Sequence, residues 1–167
     1  MSPENCVAIS VEPRPVESLV ASAEALCESL NERFTPLRRQ VFRTIAESSG
    51  PISAYRILDR LLDSGLGSGP PTVYRVLEFL QRLNLIHRVE SLNAFVACMS
   101  PERHHTCQFL ICTSCGTTAE MEAESLLASM SGIASGIGFS VNTAVLELKG
   151  VCRGCRDVSG ALSLASA

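Results

Sequence analysis

The sequence predicts an α+β fold in which an N-terminal winged helix-turn-helix is followed by a small α/β domain. Segments with helical apolar spacing fill the first half of the chain and end in two short apolar runs joined by a turn. Residues 33–88 contain nine arginines and four acidic residues, a net charge of +5, whereas the rest of the chain carries −8. Two Cys-x-x-Cys pairs lie late in the chain. A basic helical module beside an acidic, cysteine-bearing one therefore indicates two parts with different roles.

The composition sets limits on the class of protein. Hydrophobic residues make up 46% of the 167 residues, but aromatic residues only 5%, so aliphatic side chains must fill the core. No apolar run approaches the length of a membrane span. The N-terminal MSPENCVAIS lacks a basic region followed by an apolar run, so it is not a secretory signal. We therefore expect a cytoplasmic protein that does not bind membranes.

The first predicted elements are helices. Residues 1–14 show no clear period and are expected to form a flexible arm, and Pro15 can begin a helix at its first turn. Thr35 precedes Pro36 as an N-cap does, and Ser53 occupies the same position before a further helix. That further helix is expected to point four apolar side chains inward: Ile57, Leu58, Leu61 and Leu62.

The third helix of the core is the candidate for DNA recognition. It opens with Pro70 and Pro71, and its apolar face consists of Val73, Val76, Leu77 and Leu80. The segments LIHRVE and AFVAC follow as two strands, joined by a turn at residues 91–93. In a winged helix-turn-helix this helix enters the major groove of double-stranded DNA. The candidate DNA contacts are Tyr55, Thr72, Tyr74, Arg75, Arg38 and Arg39.

The second half of the chain predicts a small α/β domain. CQFLIC and TTAEM have the character of strands, residues 122–137 that of a helix, and GFSVNTAVLELKGVC alternates as one long strand. So small a unit cannot bury these apolar residues alone, and we expect it to form a homodimer. The last residues, 159–167, contain no charge and are expected to be disordered.

The two Cys-x-x-Cys pairs predict a structural zinc site. Cys112, Cys115, Cys152 and Cys155 provide the four thiolates of a tetrahedral site, and two intervening residues let each pair point both sulfurs at one metal. Disulfides are disfavoured in a reducing cytoplasm, and a redox dithiol needs only one such pair. Cys27 lies on an apolar helical stripe and is expected to be a core residue.

A second group of metal-binding side chains lies between the two parts. It contains all three histidines, His87, His104 and His105, together with Cys98 and Cys107. Sulfur, imidazole and one carboxylate together favour zinc over iron or manganese.

With these motifs, residues from about 20 to 158 resemble the ferric uptake regulator superfamily, and specifically its zinc uptake regulator branch. The motifs that carry the resemblance are RFTPLRRQVF, PPTVYRVLEFL before IHRVES, FVAC, HHTCQFLICTSCG and GVCRGC. Such proteins are dimeric, metal-sensing winged-helix repressors that bind palindromic operators. The resemblance implies a regulatory zinc held by His87, Cys98, His105 and Glu120, in addition to the structural zinc, and thus two zinc ions per chain. His104 is the rival of His105, and Thr143 stands where many members have a histidine of a third site.

These observations predict a zinc-responsive repressor of zinc-uptake genes. The expected domains are a winged helix at 15–90, a hinge at 91–99 and a zinc-binding dimerisation domain at 100–158. Two alternatives keep the same fold: a thiol redox sensor, using Cys98 with Cys107 or a zinc-ligand pair, and a sensor of iron, manganese or nickel. An enzyme is not expected, because the inferred ligand sets are already four-coordinate and no nucleophile or phosphate-loop motif is present. No small-molecule substrate is therefore expected.

Overall fold

The structure is a computed structural model, and it describes residues 14–65, 69–101, 108–121 and 123–157. These residues form two compact units, one within 14–101 and the other within 108–157. The predicted tail and all but the last residue of the predicted arm lie outside the described residues, as do His104, His105 and Cys107. No helix in the described ranges is both long and apolar enough to cross a bilayer.

Four helices build the N-terminal unit: α1 (Val16–Ser29), α2 (Pro36–Ala46), α3 (Ala54–Asp63) and α4 (Pro70–Arg82). The predicted caps are confirmed. Thr35 accepts a hydrogen bond from the backbone N–H of Arg38, and Ser53 accepts one from that of Arg56. Each bond satisfies a donor that the first helical turn leaves unpaired, and this fixes where α2 and α3 begin.

A three-stranded antiparallel sheet completes this unit. Its strands are β1 (Ile52–Ser53), β2 (Ile86–Val89) and β3 (Ala94–Ala97), in the order β1-β3-β2. The predicted hairpin is present: a 3₁₀ turn at Glu90–Leu92 joins β2 to β3, and Asn93 adopts a φ of +47°. Strand β1 was not predicted, because two residues show no periodicity and this strand pairs only with β3.

One apolar cluster holds the N-terminal unit together. Helix α1 contributes Leu19 and Cys27, helix α2 contributes Phe42, and helix α4 contributes all four of its predicted inward residues. Cys27 is thus a core residue, as predicted. Leu62 is a correction: it was expected to point inward, but 62% of it is exposed. Since α3 turns only about 100° per residue, burying both Ile57 and Leu61 places Leu62 on the outer side.

The C-terminal unit is a second three-stranded sheet with one helix. Strands β4 (Gln108–Cys112), β5 (Thr118–Met121) and β6 (Glu147–Gly150) are ordered β5-β4-β6, and α5 spans Glu124–Gly136. Strand β4 runs antiparallel to β5 and parallel to β6. The buried side chain of Gln108 accepts a hydrogen bond from the N–H of Ala123, which fixes the connection into α5.

The long final strand predicted at residues 138–152 is wrong in extent, since only Glu147–Gly150 is a strand. Its ladder with β4 begins at the pair Phe109 and Glu147. The Phe109 N–H donates to the Leu146 carbonyl at 3.1 Å, and no ladder pair with β4 is formed by residues 139–145 among the described residues. Alternation alone therefore does not make a strand of residues 139–145, because a strand needs a hydrogen-bonded neighbour.

Candidate metal centre and nucleic-acid interface

The parallel pairing of β4 with β6 brings the two cysteine pairs together. Cys112 ends β4 opposite Gly150 of β6, so both strands deliver their following turns to one edge of the sheet. Cys115 lies in the turn after β4, and Cys152 follows β6 by two residues. The N–H of Thr113 also donates to the carbonyl of Gly150 at 2.8 Å, which extends the register into these turns. Cys155 lies in a helical turn at residues 153–157.

The spacing of the four sulfurs fits a tetrahedral zinc ion. The Sγ atoms of Cys112, Cys115, Cys152 and Cys155 all lie within 4.8 Å of one another. Zinc–sulfur bonds of about 2.3 Å separate the sulfurs of a tetrahedron by about 3.8 Å. Cys115 Sγ and Cys152 Sγ are 3.9 Å apart, which matches that value and is far longer than a disulfide bond. The cluster can therefore hold a metal ion.

Hydrogen bonds at this cluster favour the thiolate form, which is the form that binds zinc. The backbone N–H of Cys152 donates to Cys112 Sγ at 3.3 Å, and this bond contributes most to lowering the pKa of the Cys112 thiol. The backbone N–H of Cys115 lowers the same pKa further. Gly116 follows with a φ of +76°, a conformation that a side chain would strain, and Thr117 Oγ1 lies 3.2 Å from Cys115 Sγ.

The other predicted metal ligands are distributed over both units. His87 lies on β2, and Cys98 follows β3 and is fully buried. Their ligand atoms lie within 4.8 Å of each other, so these two residues are brought together within the N-terminal unit. Glu120 lies on β5, paired in register with Phe109. His105 lies outside the described residues.

The predicted DNA contacts divide into two groups. Tyr55, Thr72, Tyr74 and Arg75 are exposed on the first turns of α3 and α4, and Tyr55 keeps 75% of its surface open. Within the described residues, no ion pair involves Arg75. Arg75 is therefore available to a polyanion.

Arg38 and Arg39, in contrast, are engaged within the protein. The Arg38 guanidinium lies 3.3 Å from the centroid of the Phe79 ring and donates to the Arg33 carbonyl. Arg39 forms a salt bridge with Glu24 of α1. Both residues were predicted as DNA contacts alongside Arg75, because the sequence pattern does not reveal their partners within the protein.

Arg56 is a residue that the sequence analysis did not select. It is exposed on the first turn of α3 beside Tyr55, and none of the ion pairs among the described residues includes it. Its position directly after Tyr55 in the sequence was the signal that could have identified it.

A winged helix-turn-helix unit combined with a four-cysteine metal centre in a separate α/β unit defines a metal-binding regulator of the DNA-binding type. The model of the family described as "Ferric uptake regulator family" matches residues 29–149. The chain belongs to this family, as the motifs predicted. Membership in a family of regulators agrees with the prediction that the chain is not an enzyme.

Individual relatives support the more specific resemblance. The chain is 38% identical over 149 residues to the zinc uptake regulation protein of Escherichia coli K12, covering 89% of this chain and 87% of that protein. It is also similar to a solved zinc uptake regulator complexed with zinc and DNA, with a TM-score of 0.83, 37% identity, and coverage of 88% of this chain and 99% of that one. The crystal structure of holo XcZur gives a TM-score of 0.77 and 37% identity, with coverage of 84% and 98%. These similarities confirm the predicted fold class and branch.

Proposed function

We propose that this protein is a zinc-responsive transcriptional repressor, which binds palindromic operators as a zinc-loaded homodimer in the cytoplasm and controls zinc-uptake genes. The cluster of four cysteine sulfurs carries the proposal, since it fits zinc and belongs to a chain whose relatives are zinc uptake regulators. The proposed domains are a winged helix at 15–90, a hinge at 91–99 and a zinc-binding dimerisation domain at 100–158.

The first proposed zinc is structural. Cys112, Cys115, Cys152 and Cys155 would hold it, and it would supply a cross-link between the ends of β4 and β6. Because the cluster joins segments that are nearly 40 residues apart in sequence, it restricts the unfolded chain as well as the folded one. Structural zinc sites of this type contribute about 10–16 kcal/mol of apparent binding free energy.

The second proposed zinc is regulatory, with His87, Cys98, His105 and Glu120 as its ligands. The close approach of the His87 and Cys98 ligand atoms supports this choice. Cys98 is fully buried, and thiolate, imidazole and carboxylate donors together suit zinc. The proposed count is therefore two zinc ions per chain.

A short chain of backbone hydrogen bonds connects Cys98 with the recognition helix. The N–H of Cys98 donates to the carbonyl of Leu85 at 2.9 Å, and the N–H of Leu85 donates to the carbonyl of Leu80 in α4, also at 2.9 Å. Zinc held by His87 and Cys98 would fix both strands of the wing against the end of this helix. The coupling expected of such a device is about 1–3 kcal/mol, or a 5- to 150-fold change in DNA affinity.

The proposed DNA contacts centre on the exposed first turns of α3 and α4. Arg75 can bond a guanine at two atoms, while Thr72, Tyr74 and Tyr55 can contact bases or phosphates. Arg38 and Arg39 would support these contacts from α2, where their bonds to Phe79 and Glu24 hold them in place. We expect Arg75→Ala to reduce DNA affinity more than Arg39→Ala, because Arg39 is paired with Glu24, whereas no ion pair among the described residues involves Arg75.

Exposed apolar residues support the proposed homodimer. In the C-terminal unit, Ile133 is 72% and Ile137 82% exposed, and Phe139 and Val145 are also largely open. Several large apolar side chains exposed in one small unit favour a protein interface there. A second copy of this chain would cover it, and a two-fold dimer would match a palindromic operator.

The proposal is tested by DNA binding of His87→Ala and Cys98→Ala variants at buffered free zinc. The probe is a duplex selected from a random library by the zinc-loaded wild type. Both variants are expected to remain dimers but to bind this duplex no better with zinc than with chelator. Normal zinc-dependent binding by both would contradict the regulatory site. Binding that follows an oxidant instead of zinc would favour the thiol redox alternative.

A further inference from the structure

An arginine at the start of α1 holds the backbone directly after Cys98. Arg14 Nη1 donates to the carbonyl of Met99 at 3.0 Å, across 85 residues of sequence. Its Nη2 donates to Ser22 Oγ at 2.7 Å and to Ser18 Oγ at 3.3 Å. The two serines lie one turn apart on α1, so they aim the planar guanidinium at Met99.

The backbone around Cys98 is therefore fixed on both sides. Upstream, the N–H of Cys98 is bonded to the carbonyl of Leu85; downstream, the carbonyl of Met99 is bonded to Arg14. The first bond holds the peptide group that carries the Cys98 N–H, and the second holds the peptide group one residue beyond Cys98. Anchoring the chain at these two points limits the positions that the Cys98 sulfur can take beside His87. Groups that orient a metal ligand in this way lower the cost of bringing it into the coordination geometry.

We propose that Arg14 is a positioning residue for the regulatory zinc site: it orients Cys98 and thereby sets the zinc affinity of that site. The inference rests on the proposed regulatory role of Cys98. Arg14 is not a zinc ligand in this account and does not contact DNA. Through this side chain, α1 would contribute to zinc binding as well as to the core of the N-terminal unit.

A purely structural role for Arg14 makes a different prediction, and the chain offers a matched control. Glu17 lies on the same end of α1 and forms a two-bond pair with Arg43 of α2, with N–O distances of 2.5 and 2.9 Å. The Glu17 pair attaches α1 to α2 but does not involve Met99. If Arg14 acts only by attaching α1, then Glu17→Gln and Arg14→Ala will affect the zinc site alike.

The experiment measures Zn²⁺ affinity of the second site by competition with a chelator, in full-length wild type, Arg14→Ala, Arg14→Lys, Ser22→Ala and Glu17→Gln. Cobalt(II) titrations of the same proteins record the sulfur-to-cobalt charge-transfer band, which reports Cys98 ligation. We expect Arg14→Ala to weaken the second site about tenfold, at the low end of the range for supporting residues. The four-cysteine site is expected to keep its zinc in every variant.

Two milder variants keep the test valid even if Arg14→Ala fails to fold. Arg14→Lys can reach Met99 but cannot bond the serines as a planar fork does, and Ser22→Ala removes only the bond that aims the guanidinium. Both are expected to lie between wild type and Arg14→Ala in zinc affinity and in the cobalt band. Glu17→Gln is expected to match wild type in both measurements.

The inference would be overturned if Glu17→Gln and Arg14→Ala weakened zinc binding at the second site equally. It would also be overturned if all the Arg14 and Ser22 variants kept the zinc affinity and the cobalt band of wild type. Failure of the proposed function gives a separate result: in that case Cys98→Ala, measured alongside, leaves the second zinc affinity unchanged. A Cys98→Ala variant that loses the site, together with unaffected Arg14 variants, would overturn only the role of Arg14.

Discussion

The two units of this protein differ in what holds them together. In the N-terminal unit every helix contributes buried side chains to a single cluster, in which Phe42, Ile57, Val73 and Leu80 are inaccessible to solvent. In the C-terminal unit the buried hydrophobic residues include Phe109, Ile111 and two of the four cysteines, while α5 has no buried residue at all. One unit thus has a hydrophobic core, whereas the other has a four-cysteine cluster that can hold a metal, and exposed apolar residues.

The two units therefore offer different interactions for their stability: buried apolar side chains in one, and a four-cysteine cluster in the other. A unit of about 50 residues buries only a modest apolar surface and is of marginal stability, and metals or oligomerisation commonly stabilise units of this size. The C-terminal unit has four cysteines that can hold a metal, and exposed apolar residues that a second chain could cover. The N-terminal unit has an apolar core of its own, so we expect it to keep its fold when zinc is removed.

Removing a ligand of the four-cysteine cluster should have a large effect on the C-terminal unit and little effect on the N-terminal unit. Cys112→Ser is expected to unfold the C-terminal unit, because about 10–16 kcal/mol of apparent zinc binding is lost. The N-terminal helices are expected to remain. Far-ultraviolet circular dichroism, size-exclusion chromatography and elemental analysis would together show partial loss of structure, loss of the dimer and loss of one zinc.

Cys27→Ala is the matched control, since Cys27 is equally buried but belongs to the N-terminal core. This variant is expected to retain both zinc ions and the dimer. A Cys112→Ser protein that stays fully folded without its zinc would mean that the cluster is not what stabilises this unit.

Truncating a buried side chain tests the contribution of the hydrophobic core to the N-terminal unit. Phe42→Ala should cost about 3–5 kcal/mol of unfolding free energy in the N-terminal unit, because the ring is fully buried. Zinc in the four-cysteine cluster is expected to stay bound. Thermal denaturation, monitored together with zinc release, should show two separated transitions; simultaneous loss of both would mean that the units do not fold independently.

A charge on the exposed face of α5 tests the uncovered apolar surface. Ile133→Asp is expected to cost about 2 kcal/mol of association free energy, which is roughly a thirtyfold weaker dimer. Analytical ultracentrifugation measures the dimer, and circular dichroism checks that each chain stays folded. Ala128→Asp is the control, because Ala128 is exposed and lies roughly 140° around α5 from Ile133. An unchanged dimer in Ile133→Asp would place the interface elsewhere.

The smallest expected effect concerns the salt bridge between α1 and α2. The hydrogen bond from Arg43 is the main reason that the pKa of Glu17 lies below its usual range. The pair therefore stabilises the fold above the unfolded-state pKa of Glu17, and this contribution disappears as the pH falls through the folded-state pKa. Wild type should be slightly more stable than Glu17→Gln near neutral pH, and the two should converge in acid.

Acid also releases zinc from cysteine ligands, but it does so equally in both proteins. The difference in melting temperature between them thus isolates the Glu17–Arg43 pair. A difference that grows toward low pH would contradict the direction of this shift.

Much of the fold was predictable because local chemistry determines it. The side chains of Thr35 and Ser53 determine where α2 and α3 begin, and apolar spacing determines the buried face of α4. The predictions failed where structure depends on distant partners. Strand β1 exists only through β3, and residues 139–145 form no ladder pair with β4 among the described residues. Leu62 is exposed although Leu61, one helical step before it, is buried.

The same distinction applies to the sites. The Cys-x-x-Cys spacing predicted the four-cysteine cluster, because each pair is a local turn and the parallel β4–β6 register aligns them. Spacing did not reveal that Arg38 and Arg39 are engaged by Phe79 and Glu24, nor that Arg14 reaches Met99. Those contacts join residues far apart in sequence, and no periodic pattern marks them.

The most direct test of the central claim is to measure DNA binding and zinc content of wild type in the same samples, across a series of buffered free zinc concentrations. The account predicts that binding to the selected duplex appears only as the second zinc per chain loads, while the first remains bound throughout. Binding that is equally tight with one zinc per chain would contradict it, and would leave the metal with a structural role alone.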